Sequence, residues 1–188
     1  MAETLGASFL YYKFHHLSTM TKWQFYPKSK EAPIHLRKII DDVFVPNDSK
    51  ISSPAHKFNS NTVLGILKKD LEKIGFEVES GKSKNQKISI PVLFGQNGRI
   101  EKSFDADGWN KNSKTVIEVE AGRGVTNYQF LKDLFQACVM HDIDYLIICV
   151  RNDYRSHDNF NAVVNFFNTL YASDRWNLPL AGIMIVGY

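Results

Sequence analysis

Four acidic residues occupy alternating positions in the stretch SFDADGWNKNSKTVIEVEAGRG, residues 103–124. Asp105 and Asp107 are two residues apart, and so are Glu118 and Glu120. Because alternate residues of a β-strand share a face, each pair is predicted to point one way. The residues predicted to face the core on the other side of the second strand are Ile117, Val119 and Ala121.

The chemistry open to these carboxylates depends on whether the turn at 110–114 makes the two strands neighbours. Gathered carboxylates repel one another, and at least one would keep a proton unless a cation were bound. Mg²⁺ is often held by one or two carboxylates together with phosphate oxygens, and it can activate water for a displacement at phosphorus. The alternative is a hairpin whose acidic face is simply solvated.

Helices and strands must position these acids, and the hydrophobic pattern predicts both. The predicted helices cover 60–74, 126–139 and 159–171. The predicted strands cover 76–80, 87–94, 100–109, 115–121, 144–151 and 180–186. Apart from the short strand at 76–80, the order from residue 59 is helix, three antiparallel strands, helix, strand, helix, strand. It predicts an α/β fold, a mixed β-sheet flanked by helices.

Capping residues and apolar stripes support the helix predictions. Ser60 or Asn61 is the expected N-cap of the first helix, and Gly75 stands at its C-cap position. Thr126 is expected to open the second helix in a capping box with Gln129. The predicted buried face of that helix is Tyr128, Leu131, Leu134, Phe135, Cys138 and Val139.

This order of elements contains Asp107 and, eleven residues later, the triplet Glu118-Val119-Glu120 at the end of an apolar strand. The combination resembles the PD-(D/E)XK, or restriction endonuclease-like, nuclease superfamily over residues 59–188. The resemblance implies a restriction endonuclease-like core that hydrolyses DNA phosphodiesters with Mg²⁺, or with Mn²⁺ in its place. It implies that Asp107 and Glu118 bind the metal, with Asp105 as a second candidate ligand, and that Glu120 is catalytic.

Two positions depart from the pattern of that superfamily. Ala106 stands where a proline usually precedes the aspartate, and Glu120 stands where a lysine usually positions or activates the attacking water. An ExE ending of this kind resembles the variant of the BamHI group of restriction enzymes. Glu120 is then a general base or a ligand of a second metal ion. Lys132, on the following helix, is either a displaced cation of the site or a solvated surface residue.

Two further segments contain candidate contacts to nucleic acid. Arg123 lies in a glycine-rich turn before a helix, where backbone N–H groups can hold a phosphate; the alternative is a tight turn that needs glycine. Arg151 and Arg155 follow a buried strand, and loops after such strands often carry function. The alternative is that both are ordinary surface arginines.

The first 58 residues are predicted to be an irregular arm, with one short helix at 34–44 that Pro46 stops. Their mixture of basic and aromatic residues suits contact with a nucleic-acid strand. It equally suits a packed extension or a dimerisation arm. The expected organisation is therefore an N-terminal arm, 1–58, followed by a nuclease core, 59–188.

Composition sets outer limits on function. The net charge of +3 permits an anionic partner without requiring one. No run approaches the roughly 20 apolar residues of a membrane span, and the first residues lack a secretory-signal pattern, so we expect no membrane association. Cys138 and Cys149 lie among apolar neighbours and are expected to be buried free thiols, which suits a reducing cytoplasm.

The expected function is a Mg²⁺-dependent DNA endonuclease of the type II restriction kind. Such an enzyme would act as a homodimer on a palindromic site and use no small-molecule cofactor. One rival is a non-catalytic DNA-binding or assembly module that keeps the fold, favoured by the missing lysine. Another is a structure-specific repair or recombination nuclease.

Overall fold

A computed structural model describes residues 20–81, 83–122, 125 and 127–188. The strands are β1 Lys22–Tyr26, β2 Glu77–Val78, β3 Ile88–Phe94, β4 Ile100–Ala106, β5 Gly108–Asn110, β6 Thr115–Glu120, β7 Tyr145–Val150, β8 Asp153–Tyr154, β9 His157–Asp158 and β10 Gly182–Gly187. The helices are α1 Ile34–Ile39, α2 Val45–Ile51, α3 Ser60–Lys73, α4 Gln129–Val139 and α5 Asn159–Ser173. A π-helical segment, Ile40–Phe44, joins α1 to α2.

A six-stranded mixed sheet forms the centre of the protein, in the order β1-β10-β7-β6-β5-β2. The three central strands β6, β7 and β10 run parallel, and α4 and α5 connect them in turn. The other three strands join in antiparallel pairs. The mixed α/β prediction is confirmed, because helices cover both faces of this sheet.

Strand β6 contributes alternate residues to the two faces, as its sequence predicts. Ile117 and Val119 pack on the face covered by α1, α2 and α3, together with Leu67 of α3. Val116 packs on the other face, among residues of α4 and α5 such as Phe130. Since Glu118 and Glu120 have the parity of Val116, they point to the face that α4 covers.

The segment before residue 59 is more regular than predicted. Strand β1 lies beside β10 at the edge of the main sheet, where Phe25 and Tyr26 are buried. The helical segment does not stop at Pro46 but continues to Ile51, because proline is tolerated in the first turn of α2. Lys22 of β1 is exposed, but Phe25 and Tyr26 pack into the protein and present no free ring for stacking on bases.

The strands that carry the four acidic residues differ from the prediction at Asp107, where the predicted strand 100–109 is interrupted. Strands β3 and β4 pair antiparallel, as do β5 and β6, so both predicted turns are confirmed. The run predicted as one strand over 100–109 is divided, however, because β4 belongs to a separate two-stranded sheet and β5 to the main sheet. Asp107 stands at the break between them.

Both helix ends beside the site differ from the sequence prediction. The N-cap of α3 is Asn59, whose side chain accepts a hydrogen bond from the Thr62 backbone N–H at 2.9 Å, rather than Ser60 or Asn61. Helix α4 begins at Gln129 after Tyr128. Thr126, the predicted cap, is outside the described residues.

The buried face of α4 was predicted correctly in part: Leu134 is buried, and Leu131 and Cys138 are partly buried against the same cluster. Tyr128, Phe135 and Val139 are exposed. The residues that α4 buries are Phe130, Asp133, Leu134 and Ala137. The helix is thus rotated toward a stripe that includes one carboxylate, and this rotation places Asp133 inside the protein.

The remaining long helix and two buried strands match the prediction. Phe160, Val163 and Phe167 of α5 are buried, and β7 and β10 lie in the middle of the sheet. Both cysteines are free, with Cys149 buried and Cys138 partly buried. Within the described part of the chain, every helix is too short or too polar to cross a bilayer.

Candidate active site

An open cavity of about 410 Å³ lies where β6 ends beside α4. The charged side chains on its wall are Glu79, Lys87, Asp105, Asp107, Glu118, Glu120 and Lys132. All four acids of the opening motif therefore border one space. In α/β proteins, ligands commonly bind in crevices beyond the carboxyl ends of parallel strands.

Asp107 is fixed at the break between β4 and β5. Its Oδ2 accepts a hydrogen bond from the Val119 backbone N–H at 2.7 Å. Because Gly108 pairs with Ile117, the antiparallel register sets Asp107 opposite Glu118. Burial raises the pKa of Asp107 to about 6, although the hydrogen bond from Val119 opposes the increase.

Asp105 has a different environment from Asp107. It belongs to β4, pairs with Ser89 across the small sheet and is exposed. It borders the same cavity. The structure thus places Asp107, rather than Asp105, next to Glu118 and Val119.

Glu118 and Glu120 project from β6 toward α4. Burial raises the pKa of Glu118 well above its usual value, and the charge of Asp107 raises it further. The pKa of Glu120 rises to about 7, first because of burial and then because of the charge of Asp133. The two glutamates are thus part of a crowded carboxylate cluster and are not the solvated face of a hairpin.

Asp133 is a member of this cluster that sequence reasoning missed. Only 1% of its side chain is exposed, and its Oδ2 has no hydrogen-bond partner among the described residues. Burial raises the pKa of Asp133, and its carboxyl group lies against that of Glu120. The signal in the sequence was the spacing of Phe130, Leu134 and Ala137, which defines a helix face that includes position 133.

Lys132 and Lys87 contribute positive charge to the cavity from two different elements. Lys132, on α4, lies 3.5 Å from Asp133 Oδ1, and its charge lowers the pKa of both Glu118 and Glu120. Lys87 precedes β3, and its Nζ is 2.7 Å from Glu79 Oε2. That contact raises the pKa of Lys87.

Glu79 was also missed by sequence reasoning, although it lies beside Asp107. Its backbone N–H donates a hydrogen bond to the Asp107 carbonyl at 2.8 Å, which extends the pairing of β2 with β5 by one residue. The charge of Glu79 raises the pKa of Asp107. Glu79 and Lys87 come from segments distant in sequence, so the spacing of the motif could not reveal them.

The other predicted contacts lie elsewhere. Arg123 falls outside the described residues. Arg151 is buried outside this cavity, where its guanidinium donates a hydrogen bond to the Phe58 carbonyl. Gln129 does not border the cavity, but Gln136 of the same helix does.

The carboxylate oxygens of this cavity suit a hard divalent cation whose coordination shell is completed by oxygen atoms of a substrate. Among the described residues, no three acidic, histidine or cysteine side chains form a ready-made metal cage. Asp107 and Glu118 nevertheless provide adjacent carboxylate oxygens, and Mg²⁺ commonly takes one or two carboxylates plus water and phosphate oxygens. A cation there would relieve the repulsion that raises the pKa of Glu118.

A scan against protein-family models and a search of curated proteins give no match for this chain.

Proposed function

We propose that this protein is a Mg²⁺-dependent deoxyribonuclease with a restriction endonuclease-like core. The observation that carries the proposal is the convergence of Asp107, Glu118 and Glu120 on one open cavity together with Lys87 and Lys132. Two of the carboxylates suit a metal ion, and the two ammonium groups suit a phosphodiester. The resemblance of the sequence to PD-(D/E)XK nucleases supports the same assignment.

Asp107 and Glu118 would hold the metal ion in this proposal. A bound Mg²⁺ supplies charge neutralisation at phosphorus and a more acidic water. Asp107 is oriented by the Val119 N–H, and Glu118 is fixed in the centre of a strand, so neither carboxylate depends on a flexible loop.

Glu120 is the proposed general base. Its pKa of about 7 is close to physiological pH, where a carboxylate accepts a proton from water most effectively. The water oxygen forms the new bond to phosphorus, its proton passes to Glu120, and the bond from phosphorus to the leaving oxygen breaks. The leaving oxygen takes a proton from solvent, while Lys87 and Lys132 offset the negative charge.

The test is cleavage of plasmid and phage DNA with Mg²⁺ or Mn²⁺ by the wild type, Glu118→Gln and Glu120→Gln. We expect Glu120→Gln to lower the rate by about 10²-fold or more and Glu118→Gln to abolish cleavage and the Mg²⁺-dependent increase in Tm. Glu101→Gln is the matched control, because Glu101 is an exposed strand residue outside the cavity. Equal cleavage by Glu118→Gln and wild type would refute the proposal.

The pattern of products tests the narrower expectation of a type II restriction enzyme. Discrete fragments from long DNA would support a sequence-specific enzyme, and cleavage confined to branched DNA would instead support a repair or recombination nuclease.

One observation favours a second function, a DNA-binding module without catalysis. Glu120 stands where the superfamily that the sequence resembles usually has the lysine that positions or activates the attacking water. Such a module would bind DNA equally well with EDTA and with Mg²⁺. Neither the wild type nor the variants would cleave the DNA.

A further inference from the structure

A second cavity, of about 550 Å³, opens beyond the carboxyl ends of β6 and β7. We call it the basic pocket. Its charged lining is Lys57, Arg151, Arg155 and Asp153, and Tyr154 forms one of its walls. Three cations face one carboxylate, so the pocket favours an anion, and its volume is in the usual range for a ligand site.

The cations of the basic pocket differ in how they are held. Arg151 is only 7% exposed and is fixed by the Phe58 carbonyl. Lys57 and Arg155 are exposed, and neither forms a salt bridge within the described residues. The guanidinium groups of Arg151 and Arg155 lie 5.5 Å and 5.3 Å from the centre of the Tyr154 ring. Lys57 and Arg155 are therefore available to a ligand.

An unfavourable backbone conformation holds Arg155 at the pocket. Tyr154 pairs with His157, so Arg155 and Ser156 form the two-residue turn between β8 and β9. Both have positive φ, 53° and 63°, which such turns normally accommodate with asparagine and glycine. Strain of this kind is concentrated at functional sites, and here it falls on an arginine that lines a cavity.

We call the cavity lined by Asp107, Glu118 and Glu120 the acidic cavity. At two points, a residue that lines the basic pocket is next in sequence to a residue that lines the acidic cavity. Ala121, in the basic pocket, directly follows Glu120 of the acidic cavity. Asn59, in the basic pocket, directly precedes Ser60 of the acidic cavity. Consecutive residues are about 3.8 Å apart between Cα atoms, so the walls of the two cavities meet at these two points.

We propose that the basic pocket binds an internal backbone phosphate of the nucleic-acid strand whose scissile phosphate lies over the carboxylates. The inference rests on the proposed nuclease function and adds the position of a neighbouring phosphate. Lys57 and Arg155 are the contacting residues. Arg151 is a positioning residue that fixes the wall of the pocket.

The test measures the affinity of the full chain for a labelled oligonucleotide in EDTA, over a range of salt concentrations. The double variant Lys57→Ala/Arg155→Ala is expected to bind about tenfold more weakly and to have a salt slope smaller by about 1. The matched control is Lys30→Ala/Lys38→Ala, which removes two exposed lysines that line neither cavity. Far-UV circular dichroism checks that both variants are folded.

Competition experiments distinguish an internal backbone phosphate from a terminal 5′-phosphate and from inorganic phosphate. Oligonucleotides with and without a 5′-phosphate should lose affinity for the double variant by the same factor, relative to the wild type. Inorganic phosphate at millimolar concentration should not abolish this difference in affinity. A loss confined to the 5′-phosphorylated oligonucleotide would overturn the internal-phosphate assignment. So would a double variant that matches its control in affinity and slope.

The outcomes separate this inference from the nuclease proposal. Weaker binding by the double variant, without cleavage by the wild type, would support the pocket and refute the nuclease. Cleavage by the wild type, with unchanged binding by the double variant, would support the nuclease and refute the pocket. A wild type that neither binds nor cleaves would refute both.

Discussion

Asp133 shows most clearly how one side chain changes the electrostatics of this site. Its carboxyl group adds negative charge beside Glu120, inside the protein and with one oxygen unpartnered. Burying a carboxylate oxygen without a hydrogen bond is costly, so Asp133 and Glu120 together favour a bound proton or a bound cation. The metal-free protein must therefore respond to pH.

We expect the metal-free protein to lose about 1–3 kcal/mol of its free energy of unfolding as pH rises from 5 to 8. The folded-state pKa values, about 6 for Asp107 and about 7 for Glu120, lie above the usual 3.8 and 4.5. The folded protein thus binds more protons than the unfolded chain. That stabilisation is complete below pH 4 and is lost as pH rises through 6 and 7. Urea unfolding in EDTA at each pH measures the decline.

Asp133→Asn tests whether Asp133 causes the fall in the free energy of unfolding as pH rises. The charged groups that act on Glu120 are Asp133 and Lys132 of α4 and Asp107 at the break between β4 and β5, and Glu118 of the same strand interacts with it as well. Removing the charge of Asp133 should lower the pKa of Glu120 and make the decline shallower. Asp174→Asn, at an exposed position, should leave the decline as it is. An unchanged decline in Asp133→Asn would show that Asp133 is not its source.

At the level of the elements, β6 and the turn after it connect the two cavities. Gly122 follows β6 with φ of +100°, and a Cβ at this position would lie 2.8 Å from the Tyr154 ring. Only glycine suits that backbone and that close approach. Gly122 therefore allows Tyr154, in the wall of the basic pocket, to pack closely against the turn that follows β6.

Gly122→Ala is expected to destabilise the protein by about 1–3 kcal/mol, because it adds both φ strain and a clash with Tyr154. Gly65→Ala is the matched control. Gly65 is exposed in α3, a Cβ there meets nothing within 4 Å, and alanine should stabilise the helix by about 0.5–1 kcal/mol. Thermal unfolding of both variants compares the effects. Equal stabilisation by both changes would contradict the role of Gly122.

The sequence predicted those elements whose hydrophobic pattern is long and regular. Strands β7 and β10 and helix α5 were found this way, as was the alternation of β6 that directs its glutamates. Part of the predicted face of α4 was wrong because Phe135 and Val139 look like core residues, yet Ala137 and Asp133 are the ones that pack inside. Strand β1 was missed because five residues give too short a pattern, and its burial depends on β10.

In the whole molecule, the segment before residue 59 and the segment that carries Glu118 share one sheet and one hydrophobic cluster. Leu36 and Phe44 of the N-terminal segment pack with Ile117 and Val119 of β6. Tyr26 of β1 donates a hydrogen bond to the Val164 carbonyl of α5 at 2.8 Å. Residues 22–51 therefore support the back of the strand that carries Glu118.

Leu36→Ala is expected to lower the free energy of unfolding by about 2–5 kcal/mol, since Leu36 is fully buried. Unfolding should remain one transition, with tryptophan fluorescence and circular dichroism coinciding. Leu93→Ala, at a position 57% exposed, is the control and should change stability by no more than about 0.5 kcal/mol. Two separate transitions would show that the N-terminal segment unfolds independently.

The pairing of β3 with β4 also determines where this protein can vary in length. Between Ile88 and Pro91 the two strands match residue for residue, whereas the register shifts between Pro91 and Phe94. Inserting one residue near Ile88 would turn Lys87 away from Glu79, because a one-residue slip exchanges the faces of a strand. Beyond Pro91 the pairing already accommodates irregularity. Insertions and grafted peptides belong at the tip of this hairpin, and its base tolerates substitution but not a change in length.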